Sequence, residues 1–351
     1  MSLIQPLFDG PLDVVGDIHG QVEALVSLIK HLGYDAQARH PQGRRLVFVG
    51  DLCDRGPNSP AVISRVAEWV GAGRAQVIVG NHEMNLLAND AKDGSGWFFD
   101  SREASDNTYY TPYVRSTSHS ERDSIRAFFA GLPVALERCD LRIVHAAWMQ
   151  PQIDILRGLP LGSVAEYWNA YEAESERLIH EGDLNRRLVQ ETREWPHSLE
   201  DGAWRPQFLP AHAEKEHVRA QHNPIKVLVS GVEQYCYTPF FAGNKWRFMK
   251  RVKWWDDYCD SIPVVIGHYW RRSRKKKETF TRPGNEHVFE GIPSYDWHGR
   301  NRNVFCVDYS VGGRWVSRRD GIVPLNTFRL AAMRWPERDL VFDDGERLSS
   351  N

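Results

Sequence analysis

The sequence predicts a mixed α/β fold, and three observations carry the prediction. Short β-branched apolar runs of strand length recur along the chain, amphipathic helical segments separate the first of them, and five runs are followed within two positions by Asp, Asn or His. The runs lie at 12–15, 46–49, 76–79, 141–144, 226–229, 263–266 and 304–307. Between the first three, Val22, Leu25, Leu28, Ile29 and Leu32 share one helical face, and Val62, Ile63, Val66 and Val70 share another. The opening therefore reads strand, helix, strand, helix, strand.

The five terminal residues are Asp17, Asp51, Asn81, His145 and His268. Ligands collect at the carboxyl ends of strands in open α/β sheets, so this placement marks a site. Gly16, Gly50, Gly80 and Gly267 each precede a donor, where the backbone must turn sharply and be approached closely.

Two segments interrupt the rhythm. Residues 89–124 are polar and loop-rich, with aromatic clusters at 97–99 and 109–113, and 150–223 read as charged and largely helical. Donors before and after them must converge, so 1–335 reads as a single catalytic domain with two insertions, the second of which could cap the site. Residues 336–351 read as an acidic C-terminal tail.

At 351 residues the chain is long enough for a substantial core. A net charge of −2 gives no global attraction to nucleic acid or anionic membrane, and nucleic acid is not an expected partner. Residues 1–8 lack a signal-peptide pattern, and no apolar stretch approaches the ~18–20 residues of a membrane span, so a soluble, cytoplasmic protein is expected. Five cysteines without CxxC spacing read as reduced thiols, Cys53 among them as a packing residue.

The donor set points to a two-metal hydrolase. A bridging carboxylate can hold two divalent cations close together, and such a pair activates water while neutralising a phosphoryl oxygen. Asp51 is the bridging candidate, Asp17 and His19 complete one metal position, and Asn81, His145 and His268 complete the other. Oxygen and imidazole donors without thiolate suit manganese, iron or zinc, with manganese favoured.

The motifs Gly16-Asp17-Ile18-His19-Gly20, Gly50-Asp51-Leu52-Cys53-Asp54-Arg55-Gly56 and Gly80-Asn81-His82-Glu83 resemble the signature of calcineurin-like metallophosphoesterases. Their Asp-Arg-Gly and Asn-His-Glu forms are closest to the phosphoprotein phosphatase branch and its bacterial relatives. The resemblance implies a four-layer α-β-β-α sandwich with a dinuclear site at strand ends and hydroxide bridging the metals. It also implies that His82 protonates the leaving group, that Asp54 orients His82, and that Arg55 binds phosphate. The expected reaction is hydrolysis of a phosphate monoester on a protein or small molecule. The alternative is a phosphodiesterase or a dinucleoside polyphosphate hydrolase of the symmetrical diadenosine tetraphosphate type, and a non-catalytic scaffold would require lost ligands, which are all present.

Departures from the family pattern mark the substrate side. His145 is followed by Ala146-Ala147-Trp148, which suggests that Trp148 shapes the substrate rim. Arg247 and Arg251 are candidates for a second phosphate-binding arginine. The run 271–277 carries six cations in seven residues, and with Trp254, Trp255, Tyr269 and Trp270 it could attract and stack a nucleotide.

Overall fold

Two β-sheets packed face to face position every metal-capable strand end on one edge of the molecule. The computed structural model describes residues 2–272, 288–321 and 327–350. The first sheet contains β1 (Ile4–Pro6), β5 (Ala135–Arg138), β6 (Leu141–Val144), β9 (Val264–Ile266) and β10 (Val304–Cys306), in the order β1-β5-β6-β9-β10. The second contains β2 (Leu12–Val15), β3 (Arg45–Phe48), β4 (Ala75–Val77), β11 (Ala331–Trp335), β12 (Asp339–Phe342) and β13 (Arg347–Ser349), in the order β13-β12-β11-β2-β3-β4. A separate hairpin pairs β7 (Glu233–Phe241) with β8 (Trp246–Arg251).

Parallel pairing of β2, β3 and β4 follows from their helical crossovers, α1 (Val22–Leu32) and α2 (Ser59–Gly71). Helix α1 ends where Gly33 adopts φ 98° and its N–H reaches the carbonyls of Ile29 and Lys30. Asn58 caps α2 by accepting from Ala61 N. The remaining helices are α3 (Asn81–Leu87), α4 (Glu103–Tyr109), α5 (His119–Ala130), α6 (Gln150–Gly158), α7 (Val164–His180), α8 (Asp183–Glu194), α9 (Pro210–Gln221), α10 (Pro224–Ser230) and α11 (Arg314–Asp320).

Strand alternation divides the core into layers. Leu12, Val14, Val47 and Val49 face Leu136, Ile143, Val265 and Phe305 between the sheets. On the outer faces, Val15, Leu46 and Phe48 meet Leu25, Leu28, Val62 and Val66 of α1 and α2, while Val144 and Val264 meet Ile153, Leu156 and Leu228. The result is the four-layer α-β-β-α sandwich. Each fully buried Leu, Val or Phe contributes about 1.5–3 kcal/mol relative to exposure. One charge is held among these apolar contacts: Asp13, fully buried, accepts from Arg44, Arg334 and Tyr34.

The structure corrects two expectations about elements. Residues 226–229 are helical rather than a strand: they lie in α10, where Pro224 occupies the first turn and Asn223 Oδ1 accepts from Ile225 N and Lys226 N. A four-residue apolar run has no period long enough to separate buried helix from buried strand. Residues 336–351 are not a tail, because β12 and β13 extend the second sheet beyond β11. Leu340, Val341 and Phe342 are fully buried there, and the acidic residues around them mask that apolar run.

Candidate metal centre and the cleft above it

The loops after β2, β3, β4, β6 and β9 bring all six expected donors together. Five residues here, His19 (φ 46°), Asp51 (φ 51°), Asp54 (φ 73°), Arg55 (φ 65°) and His268 (φ 70°), have left-handed backbone, a conformation that costs a non-glycine residue roughly 1–3 kcal/mol. The surroundings hold them there. Glu83 accepts from the N–H groups of Gly80, Asp51 and Leu52 at 2.9, 2.8 and 2.8 Å. Glycine is required for close approach: a Cβ on Gly80 would overlap Asp51 Oδ1, and one on Gly267 would overlap Asp17 Oδ1.

Asp51 stands at the centre. Its Oδ2 lies 3.4 Å from His145 Nε2, 3.8 Å from His19 Nε2 and 3.9 Å from His82 Nε2. His19 donates Nδ1–H to the Cys53 carbonyl at 3.0 Å, and His145 donates Nδ1–H to the Val49 carbonyl at 2.6 Å. Those backbone bonds turn both Nε2 atoms inward. Asn81 Oδ1 lies 2.9 Å from His268 Nδ1 and 3.3 Å from His145 Nε2. Asp17 accepts from the His268 backbone N–H at 3.0 Å, which ties the first donor loop to the last.

The residues fit divalent cations. Asp17, Asp51 and His145 offer ligand atoms within 4.8 Å of one another, all buried, and His19, Asp51 and His82 form a second such group. Burial, then the neighbouring Asp308 carboxylate, pushes Asp17 well above the ordinary carboxylate range. Burial opposes ionisation of Asp51 too, but His145 and then His82 bring it well below that range. Burial also acts against protonation of His145, yet Asp51 lifts it to about 10. Burial, then Arg55, lowers His19, while burial, then Arg251, lowers His268. Crowded buried carboxylates beside imidazole nitrogens are a cation site by charge and donor type.

Beside this centre, His82 donates Nδ1–H to Asp54 Oδ2 at 2.6 Å, and Trp97 donates Nε1–H to Asp54 Oδ1 at 2.6 Å. Arg55 donates from Nη1 to His19 Nε2 at 3.1 Å and lies 5.0 Å from the Trp270 ring centroid. Its N–H is bound by the Gly94 carbonyl, and its carbonyl accepts from Arg318 at 2.6 Å. The segment expected to be loop-rich at 89–124 thus holds Asp54 through the Trp97 indole and the Arg55 backbone through the Gly94 carbonyl.

A cleft of about 1080 Å³ leads from Asp51, His82 and His268 to α8, α9 and the β7–β8 hairpin. Arg247 and Arg251 both line it. Other expected rim residues do not: Trp148, Trp254, Trp255 and Tyr269 are buried in packing, and only Trp270 of that group reaches the cleft. Arg271, expected in an attracting basic run, is buried and donates to the carbonyls of Pro293 and Asp296. Residues 273–277 of that run lie outside the described residues. Cys53 is buried, as expected, with Sγ 3.6 Å from Glu83 Oε1.

Sequence reasoning missed Glu83 as the clamp, Trp97 as a partner of Asp54, and Asp308. Burial holds Asp308 up at about 6, and it accepts from the N–H groups of Trp270 and Ser310. It follows the apolar run 304–307 directly, so the strand-end rule that found the other donors applied to it as well. Among the described residues no helix is long and apolar enough to cross a membrane.

Comparison with known proteins gives three findings. The family pattern described as calcineurin-like phosphoesterase matches residues 10–231. A 73-residue stretch is 47% identical to the asymmetrical bis(5'-nucleosyl)-tetraphosphatase PrpE of Halalkalibacterium halodurans, covering 20% of this chain and 30% of that one. The cold-active protein-tyrosine phosphatase of a psychrophilic Shewanella species is 14% identical with a TM-score of 0.45, covering 100% of this chain and 83% of that one.

Proposed function

From the premise that this chain belongs to the calcineurin-like phosphoesterase family, we propose that it is a dinuclear metal-dependent phosphatase whose leading substrates are phosphate monoesters. Asp17, His19, Asp51, Asn81, His145 and His268 would hold the metals, and Asp51, at the centre of the donors, is the carboxylate both could use. Two divalent cations, when bound, supply an activated water and offset charge on the phosphoryl group. Manganese is the favoured pair, with iron and zinc also suited to the donors.

The chain's own residues do the rest. Arg55 offers a planar fork to the phosphate oxygens, and Arg251, on the cleft wall near His268, is the second cation for them. His82 delivers a proton to the leaving oxygen from Nε2, since Nδ1 is committed to Asp54. Asp54 fixes that ring orientation. Five free thiols favour a reducing compartment, consistent with the cytoplasm.

The observation that carries this reading is the convergence of three imidazole Nε2 atoms within 3.9 Å of Asp51 Oδ2. Hydrolysis of p-nitrophenyl phosphate should require added divalent metal, stop with EDTA and be lost in Asp51→Asn; turnover that survives chelation sinks the proposal.

A second reading, cleavage of phosphoanhydrides such as dinucleoside polyphosphates, is favoured by the cationic cleft and by the local identity to a tetraphosphatase. Comparing diadenosine tetraphosphate with p-nitrophenyl phosphate, bis-p-nitrophenyl phosphate and a phosphopeptide separates the two. Absence of anhydride cleavage disposes of the second.

A further inference from the structure

The cleft is far larger than one phosphate group, and one face of β8 runs along it: Arg247, Met249 and Arg251 alternate on the strand and all line the cavity. Arg251 stands at the metal end, where its charge acts on His268. Arg247 is four residues back, roughly 13 Å along extended strand. Helix α9 packs against β8 and contributes Lys215 to the same cavity.

Neighbouring cations on this wall are already paired. Arg219 binds Glu176 through two bonds of 2.8 and 2.9 Å, Lys226 reaches Glu172 at 2.6 Å, and Lys245 lies 3.3 Å from Glu216. Arg247 directs Nε to the Ala242 carbonyl at 3.3 Å, and among the described residues neither it nor Lys215 has an ion-pair partner. Burial, then the charges of Arg219 and Lys245, holds the Lys215 ammonium below the ordinary lysine range, while Glu176 and Glu216 act on it in the opposite sense. Glu233 on the same wall is raised from its ordinary value by burial, with Arg251 and Arg247 acting against the rise.

We propose that Lys215 and Arg247 form a second anion subsite, which holds a phosphate group of the substrate remote from the one being hydrolysed. The substrate class is then a small molecule carrying an extended phosphate chain. This rests on the metal-dependent phosphoesterase reading for its first site and assigns the far arm of the cleft independently.

The test is inhibition of p-nitrophenyl phosphate hydrolysis by linear polyphosphates of two to six phosphates, with free metal held constant. Inhibition should tighten with chain length. Lys215→Met should remove about tenfold of the long-chain affinity, as expected for one charged hydrogen bond, while Lys215→Arg retains it. Affinity independent of length, or equal weakening of short and long chains by Lys215→Met, overturns the proposal, as does a glutamate-rich peptide that outcompetes the polyphosphates. If no metal supports hydrolysis, the phosphatase reading fails by itself. Calorimetry of hexapolyphosphate with metal-loaded wild-type and Lys215→Met protein then decides the subsite: weaker binding to the variant supports it, and equal binding overturns it.

Discussion

Trp97 and Asp54 are joined by a 2.6 Å hydrogen bond from the indole N–H to Oδ1, while Oδ2 of the same carboxylate takes the proton of His82 Nδ1 at 2.6 Å. The carboxylate is fully buried, so its orientation depends on these two donors and the packing around them. A residue from the segment between Glu83 and His145 therefore fixes a residue of the second motif.

Trp97→Phe should keep the ring packing and delete the donor. A hydrogen bond to a charged group is worth about 1.5–3 kcal/mol, so kcat should fall by roughly tenfold or more. The fall should be steeper for phenyl phosphate than for p-nitrophenyl phosphate, because the poorer leaving group needs the proton more. Equal losses on both substrates would assign Trp97 to folding alone.

Gly267→Ala should lower metal content without unfolding the chain. The added methyl overlaps Asp17 Oδ1, and the carboxylate must move. Metal analysis of the purified variant is expected to show a deficit relative to wild type, with circular dichroism unchanged. Full metal occupancy would show that Asp17 relocates at no loss.

Metal uptake should release protons. In the metal-free chain Asp51 holds His145 at about 10, against an ordinary value near 6.5. The folded value is raised, so this pair stabilises the metal-free fold fully below 6.5 and the stabilisation is lost as pH rises through about 10. A cation must displace that proton, so affinity should increase with pH across the same window. Calorimetry in buffers of different ionisation enthalpy measures the release, and a buffer-independent enthalpy would contradict it.

Arg44→Leu should destabilise by about 3 kcal/mol, because it strips Asp13 of its Nε and Nη2 donors in a site with no solvent access. Urea unfolding reads this directly. Replacing Asp13 by Leu in the same chain should recover part of the loss, since the buried carboxylate left with only Arg334 and Tyr34 as donors goes with it.

The site was far more legible than the substrate. Asp17, Asp51, Asn81, His145 and His268 could be read because each follows an apolar run that forms one of the strands meeting at a shared edge. Trp97 could not, since an indole in a polar loop carries no periodic signal and its partner is 43 residues away. Trp254, Trp255 and Arg271 misled in the other direction: aromatic and cationic residues near a predicted site look like a ligand surface until the burial of these three is known.

By itself the sequence determined the family and the candidate donor set, because donor type and strand-end position are local properties written in motifs of four to seven residues. It also determined the alternation of strand and helix through the first 80 residues. Only the tertiary structure decided that 226–229 coil into a helix, that strands within 339–349 complete a sheet, and that Lys215 and Arg247 face one cleft with the candidate metal centre. Those outcomes depend on which distant surfaces cover an apolar run or leave a charge unpaired, and a short stretch of sequence holds no record of its neighbours in space.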